Sequence, residues 1–181
     1  MVEEISEHPL IKGKNTAQSR RAATICFYTQ GFCQWAKRDW AQSFEKFSRA
    51  KQILDDNPLI KADLPKRYIR TLHYLIQCLI ELGRFKEARD GIKQLRALDG
   101  QEGFAGIDIH VHIFNDSYLT ELRMLDRMGE QTKALEMVQP IITGLEELGP
   151  RLHKEYELEF YFNLACVHFG AGQFNKALFW L

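Results

Sequence analysis

The sequence predicts an all-α protein built from about four antiparallel helix pairs, and three observations lead to that fold class. The phrase Gly83-Arg84-Phe85-Lys86-Glu87-Ala88 returns as Gly172-Gln173-Phe174-Asn175-Lys176-Ala177. A weaker copy stands at Gly129-Glu130-Gln131-Thr132-Lys133-Ala134 and a degenerate one at Arg38-Asp39-Trp40-Ala41-Gln42-Ser43. Successive copies start 45, 46 and 43 residues apart, and self-similarity at such a period marks a helical-repeat array. Between the copies, apolar residues recur at helical spacing, and Gly and Pro stand where helices should stop.

Residues 1–15 read as a polar, flexible leader, and residues 16–181 as the repeat domain, with repeats at about 16–57, 63–100, 106–149 and 151–181. The first helix starts near Thr16 and carries Phe27, Gly31, Gln34 and Trp35. Asp39 caps the second, which carries Trp40, Phe44, Phe47, Ala50 and Leu54 and stops at Asp55-Asp56-Asn57-Pro58, since Pro biases its predecessor toward extended backbone. The third opens at Asp63 with Pro65 in its first turn, where the missing N–H costs little. Its apolar stripe is Tyr68, Leu72, Leu75, Ile76, Leu79 and Leu82, close to a 3.6-residue period. Gly83 ends it, and Phe85, Ala88, Ile92, Leu95 and Leu98 mark its partner, followed by a loop from Gln101 to Gly106.

Residues 107–113, Ile-Asp-Ile-His-Val-His-Ile, alternate as a strand would. Val111, Phe114, Tyr118, Leu122, Leu125 and Met128 extend the stretch at helical spacing, and an isolated strand would leave its backbone polar groups unpaired, so the sequence predicts helix. Its partner runs from Gln131 to Leu148, with a kink expected at Pro140. The last pair starts near Arg151, turns at Gly170 to Gly172 and restarts at Phe174. Its second helix is short and ends in the apolar run Leu178-Phe179-Trp180-Leu181, so self-association through an uncapped C-terminal end is expected.

Lys+Arg and Asp+Glu are both 24, a balance that argues against a general nucleic-acid or anionic-membrane surface. The local cluster Lys12, Lys14, Arg20 and Arg21 reads as a solvated helix start. Neither a signal peptide nor a membrane-spanning run is recognisable, so a cytoplasmic protein is expected. Cys26, Cys33, Cys78 and Cys166 are scattered through helices and read as small buried residues, not as a disulfide framework. Phosphate loops, Cys-x-x-Cys, His-Glu-x-x-His and nucleophile elbows do not occur. Asp108, His112 and Asp116 share a helix face with metal-like spacing, but read as a polar face. No enzyme activity, metal or cofactor is expected.

A helix, then Gly, an aromatic, two residues, Ala and a second helix resembles the tetratricopeptide repeat. The resemblance covers roughly residues 20–181 and rests on Gly83, Phe85 and Ala88, on Gly129 and Ala134, and on Gly172, Phe174 and Ala177. It departs at Gln131, which takes the aromatic place, at Ser43, which takes the place of Ala, and in a period longer than the family's standard of about 34 residues. A right-handed superhelix is the architecture it implies. It also implies that the first helix of each pair lines a concave groove. Phased from the small residue of each repeat, the middle of that groove holds Arg70, His73 and Gln77, then Arg123, Asp126 and Arg127. Its ends are aromatic, with Tyr28, Phe32 and Trp35 in the first repeat and Phe162 and Phe169, beside Cys166, in the last. Asn163 falls where carboxylate-clamp members of the family place an Asn. Arg beside aromatic anchors is the composition of a protein-recognition surface. The expected function is therefore a non-enzymatic module that binds a peptide or protein segment and belongs to a longer protein. The alternative is a peptide-sensing regulatory domain that controls an output domain such as a transcription regulator.

Overall fold

The computed structural model describes residues 16–181, so the expected leader, with Lys12 and Lys14, lies outside the described residues. All regular structure among them is helical, with no strand. The chain divides into two compact units, with the boundary between Ala105 and Gly106.

The first unit contains α1 (Ala17–Ala36), α2 (Trp40–Asp55), α3 (Pro58–Asp63), α4 (Pro65–Glu81) and α5 (Phe85–Arg96). A capping box starts α1: Thr16 Oγ1 accepts from the Ser19 N–H at 3.2 Å and Ser19 Oγ accepts from the Thr16 N–H at 3.0 Å. Such reciprocal bonds satisfy amides that the first turn leaves open. Asp39 caps α2 as expected, accepting from the Gln42 N–H at 3.1 Å.

Three-residue turns reverse the chain between α1 and α2 and between α4 and α5, and α2 packs on α4. Where α1 crosses α2, buried Ser43 takes the family's Ala place and donates to the Gly31 carbonyl at 2.9 Å, while Cys78 Sγ donates to Ser43 Oγ at 3.3 Å. The hydroxyl is thereby satisfied in the core, as a buried polar group must be. Gly31 fits this crossing closely: a Cβ there would stand 3.0 Å from the Phe47 ring, which would have to shift to admit it. Ala88 occupies the matching place between α4 and α5 with no exposed surface. Asp55 ties several elements together: it accepts from Tyr68 Oη at 2.7 Å, from Lys51 at 2.6 Å and from Lys61 at 3.2 Å.

The second unit contains α6 (Ile107–Met128), α7 (Gln131–Glu136), α8 (Val138–Leu148), a 3-10 turn (Gly149–Arg151), α9 (Lys154–Gly170) and α10 (Phe174–Phe179). The helical reading of 107–113 holds. Helix α9 packs against α6, α7, α8 and α10, around a core of Phe114, Met124, Ile141, Phe160 and Leu164. Phe114 lies on Phe160 with ring centroids 5.2 Å apart.

Several expectations need correction. Residues 131–148 do not form one kinked helix but two, separated at Met137. Pro140 has no N–H for the Glu136 carbonyl and its ring crowds that carbonyl, so the first segment ends at Glu136. The helix expected to open at Asp63 opens at Pro65, because Pro58–Asp63 forms a short helix of its own with Pro58 at its first position. The last pair begins at Lys154 instead of near Arg151, which lies in the 3-10 turn. Of the four cysteines only Cys26 and Cys78 are buried, while Cys33 and Cys166 are exposed. Cys78 is shut in the core: burial, opposed by its bond to Ser43, pushes its thiol up to about 11. No helix among the described residues is long and apolar enough to cross a membrane.

Candidate functional site

In the first unit, α1 and α4 are brought side by side because both rest on α2. Tyr28, Phe32 and Trp35 fall four and three residues apart on α1, so they line up along one face. All three rings meet Tyr74 of α4, with centroids 6.1, 5.6 and 5.3 Å away, and Phe47 of α2 stacks on Tyr74 at 5.2 Å. The aromatic residues assigned to the groove thus also hold α4 in place.

Beside this cluster lies a cleft of about 520 Å³, lined by Tyr28, by Asp63 at the end of α3, by Leu64, and by Pro65, Lys66, Arg67 and Arg70 of α4. The Arg67 guanidinium sits 4.1 Å above the Tyr28 ring and that of Arg70 sits 5.5 Å from the Tyr74 ring. Stacking on a ring face stabilises a cation and fixes the plane of its fork. Lys66 adds a third positive charge to the lining. The one acidic residue there, Asp63, forms an ion pair with Arg21. Helix α4 also begins in this cleft, and its dipole presents positive potential at that end. The cleft thus joins an aromatic ring, Leu64 and Pro65 to a mainly cationic lining.

The predicted groove residues divide between the units. Arg70, His73 and Gln77 belong to the first. Arg70 lines the cleft, but His73 is buried and its Nε2 lies 2.8 Å from Gln77 Nε2, so the two side chains engage each other. Arg123, Asp126, Arg127, Phe162 and Asn163 belong to the second unit. The first three are exposed along the end of α6, and Phe162 is exposed on α9. Asn163 Nδ2 donates to the Glu159 carbonyl at 2.7 Å. Partial burial, and after it the charge of Asp126, raises the Cys166 thiol. The polar end of α6 therefore flanks the exposed face of α9. Among the described residues, no group of three His, Cys, Asp or Glu is placed to hold a metal ion, and Asp116 of the metal-like series is buried in α6.

Lys66 and Arg67 were not among the predicted site residues. The family phasing begins its groove positions at Arg70, one turn too late to include them. The sequence signal was nonetheless present: Arg67 and Arg70 stand three apart, which places them on one helix face.

Comparison with family models, with curated proteins and with solved structures gives no match.

Proposed function

We propose that the chain is a non-enzymatic protein-interaction module of the tetratricopeptide kind, with that family's right-handed stacking of helix pairs, and that it holds an acidic peptide segment. The observation that carries the reading is the cleft at the start of α4, where Arg67 and Arg70 lie over aromatic rings beside Lys66. The Arg67 guanidinium, fixed over the Tyr28 ring, offers paired N–H donors that match a carboxylate. The ring beneath it provides the apolar contact that anchors a peptide side chain.

Fluorescence anisotropy with labelled peptides tests this. A peptide pairing Glu or Asp with Phe should bind saturably and more weakly as salt rises. Its Gln/Asn counterpart should bind about tenfold more weakly, the loss expected for one charge-assisted contact of about 1.5 kcal/mol. Arg67→Gln/Arg70→Gln should lose the preference while keeping wild-type helicity. Equal binding of acidic and neutral peptides, or an intact preference in the double variant, would sink the proposal.

A further inference from the structure

The cleft beside α4 carries more positive charge than one carboxylate answers. Its lining sets three cationic side chains, Lys66, Arg67 and Arg70, against the single carboxylate of Asp63, and Asp63 is itself bonded to Arg21 of α1. No acidic residue stands in the first turn of α4, and its N-cap, Leu64, offers the amides there no side-chain acceptor. The dipole of this 17-residue helix therefore adds to the positive potential of the lining.

The two guanidinia rest against neighbouring rings. Arg67 lies 4.1 Å from the Tyr28 centroid, Arg70 lies 5.5 Å from that of Tyr74, and the two rings are 6.1 Å apart. Arg67 and Arg70 stand three residues apart on α4, so they project from one face of the helix. A carboxylate has two oxygens, which a single bidentate fork can occupy. A phosphoryl group on Ser, Thr or Tyr has three acceptor oxygens and a charge of about −1.5 to −2 at neutral pH, and it forms one to three charge-assisted hydrogen bonds against an Arg cluster. That charge matches the excess of cations over carboxylates in the lining. Tyr28, Leu64 and Pro65 offer apolar surface to the carbon frame that bears the group, and a volume of about 520 Å³ falls in the range of clefts that hold a small organic group.

We infer that the acidic group taken up by the cleft is a phosphoryl group on a peptide side chain, with Arg67 and Arg70 as its forked donors and Lys66 as a point charge beside them. The inference rests on the reading of the cleft as an acidic-peptide site and names the chemistry of its ligand. Binding then follows the modification state of the partner. The phosphorylated segment is held, and the unmodified one, which lacks the anion, is released.

Anisotropy titrations of the full chain test this with the labelled Glu-Phe peptide and with versions in which phosphoserine or phosphotyrosine replaces Glu. At least one phosphopeptide should bind at least about tenfold more tightly than the Glu peptide, the gain expected from one further charge-assisted contact. Phosphatase treatment should abolish the gain. Lys66 is exposed, so Lys66→Gln should keep the wild-type circular dichroism spectrum, and it should weaken the phosphopeptide more than the Glu peptide. A Glu peptide that binds while neither phosphopeptide exceeds it would overturn this inference and leave the cleft reading standing. Absence of saturable binding by all three peptides would overturn both. Competition by inorganic phosphate as effective as that by unlabelled phosphopeptide would also overturn it, since the cleft would then hold a free anion and not a modified partner.

Discussion

Replacing Arg38 by Gly should make the protein more stable, although it removes a side chain. Arg38 is the residue with which the degenerate first copy of the repeat phrase begins. Its counterparts Gly83, Gly129 and Gly172 have φ of 73°, 68° and 71°, and Arg38 is held at 61°, the only positive φ outside glycine among the described residues. The turn geometry is therefore the same in all four copies, and in the first an L side chain is forced into it. A left-handed conformation costs a residue with a Cβ roughly 1–2 kcal/mol. Glycine gives up roughly 0.5–1 kcal/mol of this through its greater freedom in the unfolded chain. The difference is a net gain of about 0.5–1 kcal/mol. The side chain is exposed, so little opposes the gain. On the usual scaling for a chain of this length, the thermal midpoint should rise by about 1–4 °C. Far-UV circular dichroism of wild type, Arg38→Gly and Arg38→Ala measures this. The alanine variant keeps the strained φ and should stay within about 0.5 kcal/mol of wild type, as surface substitutions do. Gly83→Ala, the reverse experiment, should lose about 1 kcal/mol. A midpoint that does not rise in Arg38→Gly, together with a harmless Gly83→Ala, would refute the claim that the repeat fixes this turn.

Gly144→Ala should destabilise the second unit by about 1–3 kcal/mol although alanine is the better helix former, because the new Cβ would lie 2.2 Å from the Phe114 ring; a raised midpoint would show the ring can move aside. Ala88→Leu should cost a similar 1–3 kcal/mol in the first unit, since Ala88 has no exposed surface between α4 and α5; urea unfolding at wild-type denaturant concentrations would show the repeat phase to be wrong. Acid should act through Asp55, where burial raises the carboxyl but hydrogen bonds from Lys51, Tyr68 and Lys61 more than offset this and hold it below the usual range. A group lowered in the folded state contributes stability above its unfolded value and loses it as pH falls through the folded one. Asp55→Asn should therefore be less stable than wild type at neutral pH, with the gap closing below about pH 4; a gap independent of pH would rule this out. Arg123→Ala/Arg127→Ala, with wild-type helicity, should lose bound natural partners in a pull-down; full retention would remove the end of α6 from the recognition surface.

The sequence alone determined the helices and most of their limits. Repeat spacing, apolar periodicity and Gly or Pro punctuation are local signals, and each is decided within a turn or two of chain. This is why 107–113 could be read as helix against its alternating pattern, and why Asp39 could be named as a cap. Pro140 shows the limit of such reading, because a proline announces a disturbance but does not say whether the helix bends or breaks. The candidate site was half legible. Arg70 and the aromatic stripe of α1 followed from phase, as did Phe162 and the exposed end of α6. The tertiary structure decided the rest. It placed Arg67 over Tyr28, turned His73 toward Gln77, buried Asn115, Asp116 and Ser117 on a helix that looked polar there, and left α9 open where α1 is covered. Burial depends on which distant segment arrives to cover a face, and helical spacing is the same whether or not one does. Phe162 and Tyr28 have the same phase; the presence of α4 beside Tyr28 is what leaves one partly buried and the other exposed.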